Sequence, residues 1–240
     1  MGNSFFRFKE FMVLQDRCAM KVSTDAVILG AIAGSTQPVR RILDVGTGTG
    51  VLALMFAQRY PKARVVAVEI DRGAAGQAKE NVESSSWADR ISVCNGDFRE
   101  FDLAGAGQFD MVVSNPPYYS NHLLSADTGR NHALHQGALS FEELAVGAFR
   151  MLAKGGVGWV ILPPRQMADF ERVAGSAGFF GIAMMEVYDR ADKPLLRVIR
   201  GFSNRSPIDP PVESTLFIKE ADGSYSDAYR QLLGGFLLNF

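Results

Sequence analysis

Cysteine is scarce in this chain. Only Cys18 and Cys94 occur among 240 residues, and their separation matches no metal-ligand spacing. A disulfide framework is not expected, and both are read as reduced thiols of a cytoplasmic protein. Net charge is also nearly absent: 25 basic residues face 26 acidic ones, leaving −1. That balance excludes a general nucleic-acid coat but leaves room for a local basic patch. No long apolar run is present near the start, where "MGNSFFRFKEF" mixes charges with its aromatics, so neither a signal peptide nor a membrane span is expected. The opening "MG" lacks the Ser or Thr of a myristoylation signal and has Phe6 there instead. "NRS" at Asn204 is a glycosylation sequon by pattern alone. Internal repeats and low-complexity tracts are missing too.

What is present is an alternation. "RILDVGTGTG" reads as a buried strand entering a glycine loop, and "GVLALMFAQRY" as a helix stopped before Pro61. "ARVVAVEID", "RISVCNGD" and "FDMVVSNPPYY" read as further strands, with a polar, Ala-rich helix in "AAGQAKENVESS". "SFEELAVGAFRMLAKGG" has a Ser cap, early Glu and late Gly, so a helix is expected across it. "GVGWVILPP" reads as a fifth strand, "RQMADFERVAGSAG" as a helix, and "FFGIAMMEVYD" and "PLLRVIRGFS" as two late strands. Seven strands alternating with helices predict an α/β, mostly parallel, doubly wound sheet with helices on both faces. The length suits one domain spanning residues 1–240. Within it, 1–40 form an N-terminal extension, 41–203 the core, and 204–240 a C-terminal strand, an Asp222–Gly223 turn and a helix. "KVSTDAVILGA" in the first extension predicts a capped helix from Thr24 or Asp25. The longest loop expected runs from Tyr118 to about Ser140, a length typical of functional lids or disordered segments.

In "DVGTGTG", Gly46, Gly48 and Gly50 follow a strand and precede a helix, where glycine lets the backbone approach a ligand closely. The spacing is G-x-G-x-G, not the G-x-G-x-x-G of dinucleotide sites. Alone, this is equally a tight structural turn. Glu69 ends the second strand, about twenty residues on, where a carboxylate can accept ribose hydroxyls. Asp97 ends the third strand, as a ligand contact or simply a turn cap. Asp44 ends the first strand, either bonding loop amides or attracting a cationic cofactor group. Strand ends of one open sheet face one crevice, so these residues fit an adenosine-containing cofactor, either NAD or S-adenosylmethionine.

The fourth strand ends in Asn115, Pro116, Pro117 and Tyr118. Residues before proline are pushed to extended conformations, and each proline fixes its own φ. The result is a stiff turn presenting an amide oxygen and a backbone carbonyl, two acceptors that suit the two donors of an NH2 group. Tyr118 beside them can stack on a flat substrate. Such a corner fits methylation of a planar amine, whose delocalised lone pair reacts poorly unless positioned. The plainer alternative is a strand broken by prolines.

"NPPY" and "DVGTGTG" resemble the motifs of class I S-adenosylmethionine-dependent methyltransferases of the N6-adenine or N5-glutamine type. Residues Phe6 to Ala31, "FRFKEFMVLQDRCAMKVSTDAVILGA", are similar to the N-terminal signature of the tRNA1(Val) adenine-37 N6-methyltransferase family, and "GSYSDAYRQL" resembles that family's C-terminus. The resemblance spans nearly the whole chain and implies a Rossmann-like fold. It implies that Asp44, Gly46 and Gly48 hold the methionine end of S-adenosylmethionine, Glu69 the ribose, and Asp97 with Phe98 the adenine ring. Lys21, Thr24 and Asp25 match a "KVxTD" segment near the cofactor. Asn115 and Pro116 would hold the target amine and border the cofactor, with Pro117, Tyr118 and Tyr119 beside the target base. One departure is Ile32, where the family has tryptophan.

The implied partner is a tRNA anticodon stem-loop, bound by a monomer without metal or membrane. Its target base must lie in a loop or be flipped out. Candidate phosphate contacts are an early basic run (Arg7, Lys9, Arg17, Lys21), a late one (Arg190, Lys193, Arg197, Arg200, Arg205) and Arg130 with His132 and His135 in the long loop. Each run is otherwise a solvated face, and the His pair lacks the support that metal binding needs. Rival readings are a protein glutamine-N5 methyltransferase, a non-catalytic RNA-binding module of the same fold, and an NAD oxidoreductase.

Overall fold

The computed structural model describes residues 3–101, 108–117 and 139–238. A short hairpin opens the chain, with β1 (Phe5–Arg7) antiparallel to β2 (Met12–Leu14). Helix α1 (Thr24–Ile32) follows, its first turn capped by the Ser23 side chain, which accepts from the Ala26 amide. The core then runs β3 (Arg41–Val45), α2 (Val51–Arg59), β4 (Arg64–Glu69), α3 (Arg72–Glu83), β5 (Ile91–Asn95), a single 3-10 turn at Phe98–Glu100, and β6 (Phe109–Ser114). After the second gap come α4 (Phe141–Met151), β7 (Leu152–Leu162), α5 (Pro164–Ser176), β8 (Phe180–Tyr188), β9 (Leu195–Ser203), β10 (Val212–Phe217) and α6 (Asp227–Leu233).

The main sheet has eight strands in the order β10-β8-β9-β7-β6-β3-β4-β5. All neighbours are parallel except where β9 runs against β7 and β8. The expected seven strands are present, and β10 adds one at the edge beside β8, so the tail strand joins the core sheet. The exposed residues of β10 carry little apolar signal for that placement. The central strands are buried on both faces: Ile42, Leu43 and Met111 are fully enclosed, as the continuous apolar runs of parallel strands require. One core packs α1, α2, α3 and α6 on one face. The other packs α4 and α5 opposite.

Two expectations are corrected in detail. The helix expected through "MLAKGG" ends at Met151, and Leu152 already pairs with Phe109. Gly155, at φ 79°, is a kink inside β7 rather than a helix cap. The hairpin β1–β2 carries little sequence signal, its strands being three residues each. The Asp222–Gly223 turn is as expected, with Gly223 at φ 88° and the Ser224 amide donating to Asp222 at 2.8 Å. Asn204 serves the fold: its amide accepts from Gly155 N and donates to the Ala153 carbonyl, both at 2.9 Å.

The chain ends meet. The Lys9 amide donates to the Phe236 carbonyl at 2.8 Å, and Phe8 bridges Leu237. Tyr229, Leu233 and Phe236 are buried against the α1–α2 face. Leu233→Ala should therefore lower stability by about 2–5 kcal/mol, measured by urea denaturation. A change below about 0.5 kcal/mol, the size of a surface substitution, would show the tail to be an independent appendage.

Candidate active site

Chain order reverses between β3 and β6: β4 and β5 lie on one side of β3, and β7 lies beyond β6. Ligands of open α/β sheets bind at such a reversal, beyond the carboxyl ends of the strands. A cleft of about 340 Å³ opens there. Gly46, Gly48, Glu69, Asp97, Phe98, Asn115, Pro116 and Pro117 all border it. The sequence spreads these residues over four strand ends, and the fold brings them to one crevice.

The glycine loop is shaped for close approach. Gly46 and Gly48 have φ of 72° and 55°, and a Cβ added at either would meet nothing within 4 Å. The space a side chain would fill is thus left open for a ligand. Glu69 braces the loop: Oε2 accepts from the Gly48 amide at 2.8 Å and Oε1 from the Asp71 amide at 3.0 Å. A carboxylate has about four acceptor positions, so two remain for a ribose diol. Asp97 caps the 3-10 turn by accepting from the Arg99 amide at 2.9 Å and also pairs with the Arg99 guanidinium. The turn-cap reading is therefore realised in a residue that also borders the cleft. The Arg99 bonds hold its carboxyl below the usual carboxylate range. Arg99 reaches on to Glu143, which completes a capping box with Ser140 at the start of α4. Phe98 is buried beneath this end of the cleft, where Gly147 of α4 leaves room for its ring.

Asp44 lies under the loop rather than on the cleft wall. It is fully buried, and its Oδ2 accepts the Thr47 hydroxyl at 2.5 Å. Burial pushes its carboxyl up to about 7; the Glu69 charge adds to this, while the Thr47 hydroxyl and the Ala53 amide oppose it. Its Oδ1 is buried with no hydrogen-bond partner among the described residues. An orphaned acid oxygen below open glycine backbone fits a ligand that brings positive charge.

The corner after β6 is held from beneath. The Ser114 hydroxyl donates to the Val45 carbonyl at 2.9 Å in a buried position. Asn115 is half-buried, Pro116 is buried and Pro117 is exposed. Tyr118, Tyr119, Arg130, His132 and His135 lie outside the described residues.

Lys21, Thr24, Asp25 and Arg197 are not brought to the cleft wall. Lys21 donates to the Asn3 carbonyl at 3.1 Å. Thr24 is the exposed first residue of α1. Asp25 pairs with Arg197 at 2.7 Å, tying α1 to the start of β9. That pair lies near the carboxyl edge of the sheet, since Val198 stands opposite Leu162, the last residue of β7. Most of the late basic run is matched by acids: Arg190 and Lys193 by Asp192, and Arg200 by Glu171. In the early run, Arg17 pairs with Glu80. Cys18, Ala19 and Met20 form a wall of the cleft that the sequence did not reveal, as do Ile70 and Asp71. Ile70 and Asp71 carry a signal in hindsight, because Asp71 is the N-cap of α3 directly after the acid. Among the described residues, no group of three His, Cys, Asp or Glu side chains is arranged to hold a metal, and no helix is long and apolar enough to cross a membrane.

The glycine loop, the strand-end acids and the Asn-Pro-Pro corner at one reversal point define a class I methyltransferase site. Residues 26–166 match the family described as Methyltransferase small domain. The chain is 42% identical to the tRNA1(Val) (adenine(37)-N6)-methyltransferase of Serratia proteamaculans (strain 568) over 97% of its own length and 89% of that relative. It is 38% identical to the protein of the same description from Yersinia pestis (strain Pestoides F), covering 98% and 94%. The chain belongs to the tRNA1(Val) (adenine(37)-N6)-methyltransferase family. Solved structures agree on the fold. A protein described as a predicted O-methyltransferase from Agrobacterium tumefaciens aligns with a TM-score of 0.70 at 22% identity, over 88% of this chain and 96% of that one. TYW2 of P. horikoshii aligns with a TM-score of 0.57 at 19% identity, over 85% and 72%.

Asp44 yields a signed pH prediction. Its carboxyl sits near 7 in the fold, above the unfolded value of about 3.9. Its stabilising contribution is complete below pH ~4 and is lost as pH rises through ~7. Asp44→Asn should match the wild-type protein in stability at pH 4 and exceed it at pH 8, by up to about 4 kcal/mol. Over the same change, affinity for S-adenosylmethionine should fall. Denaturant melts of the cofactor-free proteins and calorimetry check the two halves, and a variant less stable than wild type at pH 8 would contradict the first.

Proposed function

We propose that this chain transfers a methyl group from S-adenosylmethionine to N6 of adenine 37 in the anticodon loop of tRNA1(Val). The observation that carries the reading is the shared cleft: the glycine loop after β3 and the rigid corner after β6 open into the same space. Its relatives carry that activity in their description.

When bound, S-adenosylmethionine supplies a methyl group made electrophilic by its sulfonium. The chain's own residues hold and orient. Gly46 and Gly48 let the backbone lie against the methionine end, with the Asp44 charge beneath them. Glu69 has acceptor positions for the ribose hydroxyls, and Asp97 and Phe98 border the adenine end. Lys21, Thr24 and Asp25 lie on the segment that continues from Cys18, Ala19 and Met20 into α1, and in this reading they bind the cofactor from that side. At the corner, the Asn115 amide oxygen and the Pro116 carbonyl accept the two N–H bonds of the target amine. That pairing turns the nitrogen lone pair towards the methyl donor, and Pro117 keeps the turn stiff. No strong general base is required, because the amine proton becomes acidic only as the new bond forms. Tyr118 and Tyr119 offer stacking faces for the extruded base, which elsewhere contribute about 1–3 kcal/mol each.

An anticodon-loop adenine reaches such a corner without the full cost of opening a duplex. Arg197 and Arg130 are the phosphate contacts in this reading. Arg197 would exchange part of its pairing with Asp25 for the RNA backbone. The two extensions and the core work as a single domain, acting as a monomer in the cytoplasm.

The direct test is mass spectrometry of tRNA nucleosides after incubating purified protein, S-adenosylmethionine and unmodified tRNA1(Val). N6-methyladenosine should appear at position 37, and its absence from every tRNA offered would reject the proposal. Asn115→Ala should lower kcat by at least about a hundredfold, the loss typical of removing a transition-state hydrogen-bonding group. Cofactor affinity should stay within about threefold, under 1 kcal/mol. Loss of cofactor binding in that variant would assign Asn115 to the cofactor instead.

A further inference from the structure

The cleft wall made by Cys18, Ala19 and Met20 belongs to a strap that leaves β2 and runs over α3 before entering α1. Such a strap has few local means of keeping its shape. Within it, Gln15 Oε1 accepts from the Val22 amide at 2.9 Å, and against the sheet side it is held by two side-chain amides on the buried face of α3. Asn81 is 2% exposed and Gln77 is 0% exposed. Asn81 Oδ1 accepts from the Leu14 amide at 2.8 Å, and its Nδ2 donates to the Leu14 carbonyl at 2.9 Å. This is a ladder-like pair made by a side chain. The same Nδ2 donates to the Thr49 carbonyl at 2.9 Å, inside the glycine loop. One turn earlier, Gln77 Oε1 accepts from the Arg17 amide at 2.9 Å, and its Nε2 donates to Asp16 at 2.7 Å. The next residue after these bonds is Cys18, the first of the wall.

Helical spacing puts residues 77 and 81 on one face of α3. The ribose-side acid Glu69 and the cap Asp71 stand just before that helix. One rigid element therefore fixes the glycine loop, the approach to the ribose acid and the strap together. We propose that Asn81 and Gln77 are positioning residues for the cofactor, holding residues 16–20 as the wall of its cleft without touching it. The inference rests on the cleft being the S-adenosylmethionine site. Its test has a readout that does not.

Cys18 supplies that readout. Its thiol is half-buried in the wall, and burial, with Glu69 and Asp71 beside it, pushes it up to about 11. Release of the strap removes these causes, so alkylation should accelerate. Gln77→Met keeps the volume but frees the Arg17 amide and Asp16; Asn81→Leu also frees Leu14 and Thr49. Val82→Ala is the control, because Val82 is a buried core residue of the same helix.

The experiment compares three quantities: N-ethylmaleimide labelling of Cys18 in the cofactor-free protein, read by peptide mapping; the Kd for S-adenosylmethionine; and kcat at saturating cofactor. Gln77→Met should label at least about fivefold faster and bind cofactor about tenfold more weakly, the scale of one or two lost hydrogen bonds. Its kcat at saturation should stay within about twofold, since uniform binding is what is lost. Val82→Ala should alter neither labelling nor Kd. If Gln77→Met labels and binds like the wild-type protein, or Val82→Ala shifts Kd equally, the positioning role is overturned. Should Asn81→Leu fail to fold, Gln77→Met decides alone. Wild-type protein that binds no S-adenosylmethionine would overturn the functional reading, and Cys18 labelling would still decide the strap.

Discussion

The seam between β3 and β6 is the constraint on which the site depends. Val45 stands opposite Ser114 in register, and the Ser114 hydroxyl donates to the Val45 carbonyl at 2.9 Å. One residue later each strand leaves the sheet, into the glycine loop at Gly46 and into the corner at Asn115. Parallel neighbours lie about 4.8 Å apart. The separation between a group held by the loop and a group held by the corner is thus inherited from a β-ladder. Transfer between bound groups is sensitive to offsets of about 1 Å. A ladder buried on both faces is a firmer ruler for that distance than long side chains would be.

Much of this arrangement was legible because its signals are local. Parallel strands enclosed on both faces must be apolar throughout, and β3, β4, β6 and β7 contain such runs. Helix starts at Ser140 and Ser226 carry side-chain caps. Gly46, Gly48, Glu69, Asp97 and Asn115 follow strands in order, so their convergence came from topology alone. Less legible features depend on pairing partners. β10 is mostly exposed, and nothing in "VESTLF" states that it joins β8 in parallel. "MLAKGG" has the composition of a helix end, but the helix stops at Met151 and the strand that pairs with β6 begins at Leu152. Cys18, Ala19 and Met20 bear no cofactor chemistry of their own, and the amides that place them lie far along the chain. The expected roles of Lys21, Thr24 and Asp25 rest on likeness to a motif, and these residues do not line the cleft that their neighbours border.

The corner and the cleft divide the question of function differently. In the proposed roles, two acceptors beside a methyl donor would suit any planar NH2, whether adenine or a glutamine amide, so the corner would define a reaction and not a substrate. The likeness to the relatives extends over 97–98% of the chain and so beyond the corner and the cleft. The chain ends meet in space: Lys9 bonds Phe236, and Phe8 bridges Leu237. The N-terminal segment, which includes α1, and the C-terminal helix α6 therefore pack into one core with α2. That core anchors the start of the strap, so the chain ends reach the cofactor cleft through packing.

Asp44 shows why the site and the stability of the fold pull in opposite directions. A fully buried carboxyl with one unpartnered oxygen weakens the empty protein at neutral pH, where an amide or apolar residue would not. Its position offers a compensating role. It lies under glycine-loop backbone that cannot carry charge, and its other oxygen fixes Thr47 in the loop. A cationic ligand end arriving above Gly46 would relieve the unpaired charge and add a Coulombic attraction in a poorly solvated place. The same carboxyl that costs stability when the cleft is empty would then contribute to binding when it is filled. Binding free energy and folding free energy are linked at this residue, and the glycine loop transmits between them.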